Sequence, residues 1–237
     1  LNALHIPFTG VPLDALFLTT NKVLANKFMT FYDIPTPAYY EISQLKELKP
    51  HVQYILKPKW EEGSVGLDEE NVFTTHDSDK LLKISKLSTN HYFIEQFVEG
   101  REFNMSILGG NDGPKVLQPA EMIFKDFPEG KPKILGYKAK WEESSMEYQN
   151  TTRSFQTLEN DSPLYRKLKS ICEKCWISFG LRGYARVDFR IDKEGNPFVI
   201  EINGNPCIAP DSGFIAAASH AGYTNDFVIK KICEELN

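Results

Sequence analysis

Two strand-like runs, Tyr184 to Ile191 and Phe198 to Ile202, flank the segment Lys193-Glu194-Gly195-Asn196. Runs of that length on either side of a Gly-Asn turn have one local solution, an antiparallel hairpin. Successive side chains on a strand point to opposite sides, so the hairpin commits part of this chain to a sheet with two unlike faces. Arg186 and Asp188 then share a face, as do Glu201 and Asn203, and a register set by the turn lets all four meet on one surface. Two carboxylates and an amide oxygen are hard-oxygen donors suited to Mg²⁺, which takes few protein ligands and fills its shell with phosphate oxygens. Satisfied strand carboxylates beside an arginine fit the same spacing equally well.

Periodicity elsewhere places helices and further strands around this hairpin. Thr20 or Asn21 caps a helix from about Lys22 to Tyr32, and Ile34-Pro35-Thr36-Pro37 stops it because proline removes a donor. Ala38 to Ile42 and Gln53 to Leu56 read as strands flanking a short helix near Gln44 to Leu48. Asp77 caps a helix to Leu87, and Tyr92 to Gln96 is a buried strand. Glu102 to Leu108 and Val116 to Ile123 pair across Gly109-Gly110-Asn111-Asp112-Gly113. Residues 125–160 are polar and aperiodic, too long for a passive connection, and read as a mobile or substrate-covering segment. A helix from Pro163 to Phe179 precedes the hairpin, and two more, near Ser212 to Ala221 and Asn225 to Leu236, follow it. The fold class is α+β in two lobes divided near residue 98.

Composition narrows what such a fold does. With 27 basic and 32 acidic residues the net charge is −5, which excludes a general nucleic-acid binder while leaving room for a local basic cleft. No apolar run approaches the ~18 residues that a membrane helix needs, so the chain reads as soluble and cytoplasmic, with no membrane partner. Its four cysteines are too few for a disulfide scaffold. Cys172 and Cys175 form a C-x-x-C inside a helical apolar pattern, which reads as buried thiols. The sequence starts Leu1-Asn2-Ala3-Leu4, without Met, as a fragment or processed product would.

Two further constellations carry chemistry. Lys57 ends an apolar strand and leads into Gly63-Ser64-Val65-Gly66, where backbone amides approach phosphate oxygens and the lysine supplies a cation. A surface turn is the plain alternative. Lys22 opposes the dipole at its helix start, a local conflict that points to work elsewhere. In Glu95-Gln96-Phe97-Val98-Glu99-Gly100-Arg101-Glu102, an apolar strand leaves its sheet through a glycine and exposes main-chain groups able to read a base edge. An interlobe linker explains it equally.

The collinear order of Lys22, Lys57-Pro58 with its glycine loop, Ile94 to Glu102, Arg186-Val187-Asp188 and Glu201-Ile202-Asn203-Gly204-Asn205-Pro206 resembles the ATP-grasp superfamily, and within it the D-alanine–D-alanine ligases. The resemblance runs from about residue 20 to 237 and implies ATP held between two α+β lobes. Residues 1–20 would be a remnant of an N-terminal domain, 21–98 the small lobe, and 99–237 the large lobe with the metal and substrate site. By the resemblance, Lys22, Lys57 and the loop of Gly63, Ser64 and Val65 bind phosphates. Glu95 and the backbone of Gln96, Phe97 and Val98 take adenine, and Glu102 takes ribose. Asp188, Glu201 and Asn203 hold two Mg²⁺ ions, with Mn²⁺ as an alternative. Arg186 stabilises a tetrahedral oxyanion alongside a backbone N–H near Cys207. Lys140 closes on the γ-phosphate, and Ser212 binds the second substrate's carboxylate. The implied activity is ATP-dependent amide formation through an acyl phosphate from small-molecule acid and amine substrates such as amino acids, in an assembly that a homodimer fits. Gly63 stands where those ligases usually carry serine, Trp141 where many carry tyrosine, and Cys207 where glycine is usual. Two other classes compete: a non-catalytic ATP-binding module or inactive ligase fragment, and a Mg²⁺-dependent hydrolase built on Asp188 and Glu201.

Overall fold

Asn21 sits where one helix turns into the next in the described chain, residues 1–236 of a computed structural model. The helix α1 (Leu13–Thr20) abuts α2 (Lys22–Phe31), and the Asn21 side-chain oxygen accepts the Leu24 N–H at 2.9 Å. That bond satisfies one of the donors a helix start leaves open. α1 has no counterpart in the sequence reading. Its run Leu13-Asp14-Ala15-Leu16-Phe17-Leu18 is apolar nearly all round and so carries no 3.6-residue stripe.

The first sheet contains β1 (Tyr39–Tyr40), β2 (Gln53–Pro58), β3 (Val72–Thr74) and β4 (Tyr92–Gln96), in the order β1-β4-β2-β3 and antiparallel throughout. A 3₁₀ stretch, Ile42–Glu47, stands where a short helix was expected. α3 (Ser78–Ile84) stops short of Leu87. Asp77 precedes it without capping it, because its carboxylate accepts the Thr74 N–H at 2.7 Å instead. Ile42, Tyr54, Phe73, Ile84 and Ile94 form the core between this sheet and its helices.

The second sheet is larger. It holds β5 (Arg101–Leu108), β6 (Lys115–Val116), β7 (Ala120–Phe124), β8 (Thr151–Ser154), β9 (Tyr184–Ile191) and β10 (Pro197–Asn203) in the order β10-β9-β5-β7-β8, with β6 on β5. The single strand expected over Val116 to Ile123 is two, since the chain between Leu117, whose N–H still donates to Ser106 O at 2.8 Å, and Ala120 is irregular. Residues 125–160 are ordered as α4 (Tyr137–Trp141), α5 (Met146–Gln149) and β8, although no hydrophobic period announces them. α6 (Pro163–Ser178) lays Leu168, Ile171, Cys172 and Cys175 against Phe103, Met105, Val187 and Phe189 of the sheet. α7 (Gly213–His220) and α8 (Asn225–Glu234) build a second cluster with Leu108 and Tyr184.

The described break between sheets lies between Gln96 and Arg101, around residue 98. α2 buries Ala25 and Met29 in the larger core, and Phe28 meets the Phe179 ring edge-on at 4.9 Å, because its apolar face matches that core. Val11 and Ala15 join them. The proposed end of the large lobe, residue 237, lies outside the described residues. No described helix is long and apolar enough to cross a membrane.

Candidate functional site: a charged cleft between two sheets

Alternation along β5 and β9 creates two chemically opposite faces. Odd positions, from Phe103 to Ile107 and from Ala185 to Ile191, enter the core. Even positions place Glu102, Asn104 and Ser106 beside Arg190, Asp188 and Arg186 in strict register on the other face. β10 joins this face through a bulge. Val199 pairs with Phe189, yet Glu201 pairs with Asp188 and Asn203 with Arg186, so one extra residue, Ile200, is accommodated between them. A register carried straight on from the turn would have set Glu201 opposite Val187, inside the apolar core. The meeting of the four polar residues therefore depends on the bulge and not on the turn alone.

A cleft open to solvent lies between this face and the first sheet. Lys22, Lys57 and Lys140 line it together with Glu102, Asp188, Arg190 and Glu201, and Ser64, Val65, Glu95, Gln96, Phe97 and Val98 are also among its lining residues. Gly63, Arg186, Asn203, Cys207 and Ser212 are not among its lining residues. Arg186, two positions from Asp188 on the same strand face, donates two bonds of 2.7 Å to its carboxylate. Asn203 accepts the Asn205 N–H at 2.9 Å, and Ser212 caps α7 by accepting the Ile215 N–H at 3.3 Å. Cys207 is exposed, with the Ala209 N–H 3.5 Å from its sulfur.

The charges are largely cross-paired. Lys22 Nζ lies 2.9 Å from Glu201 Oε1 and donates to the Glu61 carbonyl at 2.7 Å, while Arg190 meets Glu102 at 3.0 Å. Lys57 bonds Glu95, whose other oxygen accepts from Asn26 Nδ2 at 3.3 Å. Each Glu95 oxygen thus accepts one bond, and the residue is the counter-ion that positions Lys57. The backbone run behind it is also partly committed, since Gln96 N–H donates to Ala38 O at 2.7 Å and Phe97 N–H to Gln53 O at 2.9 Å.

Burial pushes the Glu201 carboxyl up, but Lys22 and then Lys140 reverse this and hold it down to about 2. Burial raises the Glu102 carboxyl, with Arg190 pulling it back. Lys140 is lowered by burial, against the pull of Glu201. Among the described residues no cluster of three or more His, Cys, Asp and Glu forms a ready metal cage. The donor set Asp188, Glu201 and Asn203 nevertheless suits a small hard cation that completes its shell with ligand oxygens.

The covering segment is tied to the glycine loop. Ser64 Oγ donates to Leu135 O at 2.7 Å, Trp141 Nε1 to Gly63 O at 2.8 Å, and Tyr137 N–H to Leu67 O at 2.8 Å. Lys131 bridges Glu69 at 2.8 Å and Glu147 at 2.5 Å. Arg190, which lines the cleft, was not singled out in the sequence although it lies two positions after Asp188 on the same strand face. Asn26, which reaches Glu95 from α2, offered no local signal.

Residues 29–234 match the family model described as D-ala D-ala ligase C-terminus. The chain belongs to that family. It is 27% identical over 250 residues to a D-alanine–D-alanine ligase of Pelotomaculum thermopropionicum, covering 99% of this chain and 73% of that protein. Its fold superimposes on D-alanyl-alanine synthetase A of Vibrio cholerae with a TM-score of 0.76 at 21% identity, covering 98% of this chain and 69% of that one. A Bacillus anthracis D-alanine–D-alanine ligase complexed with ATP gives a TM-score of 0.73 at 20% identity, covering 98% of this chain and 71% of that one. The fold is therefore the α+β ATP-grasp fold. The chain spans between 66% and 73% of the length of such curated relatives.

Proposed function

We propose that this chain carries the nucleotide site and reaction centre of an ATP-dependent carboxylate–amine ligase that works through an acyl phosphate. The observation that carries the reading is the convergence of Lys22, Lys57 and Lys140 with Asp188 and Glu201 on one cleft beneath a covering segment. Three lysines match the charge of a triphosphate, and two carboxylates opposite each other match a divalent cation riding on it. Mg²⁺, when bound by Asp188, Glu201 and Asn203, would neutralise charge on the transferring phosphoryl group.

The chain's own residues supply the rest. Lys57, held by Glu95, and Lys22, reaching from the start of α2, orient the phosphates. Lys140, carried in by α4, approaches the terminal phosphate, and its burial inside the cleft sharpens the interaction. Val98 reads the base edge, and Glu102 accepts from ribose hydroxyls while Arg190 fixes its position. Arg186, rigidly paired with Asp188, faces the oxyanion of the amine-addition step beside the main chain near Cys207. Ser212, at the start of α7, takes the amine substrate's carboxylate. The covering segment and glycine loop exclude water, which would hydrolyse the acyl phosphate.

The test is release of ADP by the full chain with Mg²⁺, ATP and a panel of acid and amine pairs, beginning with D-alanine. Pair-dependent ADP with a matching amide product is the expected result, and Lys57→Met should abolish it. Tight Mg·ATP binding with no amide from any pair would favour a binding module. Metal-dependent hydrolysis that survives Lys57→Met would favour a hydrolase.

A further inference from the structure

The edge strand β8 carries an arginine that the ligase reading does not use. Register runs without a break from Arg190 on β9 through Glu102 on β5 and Met122 on β7 to Arg153 on β8. Residues opposed in antiparallel strands share a face, so Arg153 stands on the polar face that forms the cleft floor. Its guanidinium lies against the first residue of α7, since a Cβ added at Gly213 would stand 3.2 Å from Arg153 Nη2. The residue as a whole is exposed at the sheet edge, while partial burial of its guanidinium, and then the charge of Arg186, lower its pKa.

What sets Arg153 apart is its lack of a counter-charge. Lys22 is neutralised by Glu201, Lys57 by Glu95, Arg186 by Asp188 and Arg190 by Glu102. Among the described residues Arg153 makes no ion pair or side-chain hydrogen bond. A second orphan donor sits on the same face: Asn104 Nδ2, one row away on β5, is buried without a partner. Lys140 is already assigned to phosphate, and the start of α7 with Ser212 to one carboxylate. Arg153 is a full positive charge beyond those needs.

We infer that Arg153 determines specificity for an amine substrate that carries a second acid group, an amino acid with an acidic side chain, whose side-chain carboxylate pairs with this guanidinium. The inference rests on the ligase reading for the roles of the neighbouring groups. Arginine suits the task because its planar fork matches a carboxylate with two parallel bonds. An amine substrate without that group would leave this exposed guanidinium to water.

Calorimetry on the full chain, with Mg²⁺ and a non-hydrolysable ATP analogue present, tests this with glutamate, aspartate and alanine in both enantiomers. Wild type should bind an acidic amino acid at least about tenfold more tightly than alanine, as one charge-assisted pair would give. Arg153→Gln should weaken the acidic ligand roughly ten- to hundredfold more than it weakens alanine. Arg153→Lys should recover part of the difference, since it restores charge without the fork. Equal affinity for alanine and the acidic amino acids, or an equal loss for both in Arg153→Gln, overturns the inference. Acidic-ligand binding that depends on Arg153, with no ADP formed from any pair, would overturn the ligase reading and sustain this one. Turnover with alanine that acidic amino acids neither match nor exceed would do the reverse.

Discussion

Glu201 shows how one side chain records the electrostatics of its surroundings. Its carboxyl is held at about 2 against an ordinary 4.5 because the cations Lys22 and Lys140 outweigh the cost of burial. A depressed carboxyl contributes stability that is complete above the unfolded value and is lost as pH falls through the folded one. The melting-temperature advantage of wild type over Glu201→Gln should therefore hold at neutral pH and shrink from about pH 4.5 toward about pH 2. A constant difference across that window would show that the Lys22 pair contributes nothing through charge. The cysteines give a second prediction at this scale. Burial pushes the Cys175 thiol up to about 12 and the Cys172 thiol well above its ordinary range, whereas Cys207 and Cys233 are exposed. A thiol reagent on native protein should label Cys207 and Cys233 alone, read by peptide mass, and reach the other two only after unfolding. The C-x-x-C was legible as buried thiols because the helical stripe around it is a local property. Asn26 was not legible, since only the approach of α2 to β4 brings it to Glu95.

Elements meet most tightly at Gly100, between β4 and β5. Its φ is +151°, and a Cβ there would stand 1.9 Å from the Ile191 carbonyl oxygen, on backbone that cannot step aside. Gly100→Ala should cost at least about 2 kcal/mol in urea unfolding, far above an exposed glycine such as Gly113 in the β5–β6 turn. Equal costs at both sites would remove the close approach as the reason for glycine here. Most elements were readable from the chain: the β9–β10 hairpin, α2, α6 and β4 follow from period, cap and turn chemistry, all of which act within a few residues. α1 and the segment holding α4, α5 and β8 were not. Those pieces are stabilised by what they rest on, namely the larger core for α1, and Glu69, Gly63 and β7 for the covering segment.

On the scale of the whole molecule, the two sheets are already clasped across the cleft by Trp141, Ser64 and the Lys131–Glu69 pair. Trp141→Phe removes the N–H donor and keeps the ring, so it should speed protease cleavage within residues 125–160. Saturating Mg·ATP should slow cleavage in both proteins and raise the melting temperature, by about 2.7 kcal/mol of stability at a hundredfold excess over Kd. Cleavage indifferent to both nucleotide and Trp141 would remove the clasp from the site's workings. The sequence by itself determined the alternating hairpin, the order of lysines and carboxylates and the α+β character, because covalent geometry and short-range periodicity are written residue by residue. Tertiary structure alone decided that the hairpin bulges. Val199 and Ile202, three residues apart, both enter the same core, and a regular strand cannot send both to one face. The extra residue at Ile200 resolves the conflict and brings Glu201 out of the apolar core to stand opposite Asp188. The cleft's pair of carboxylates thus exists because burying two apolar side chains outweighs keeping the ladder regular.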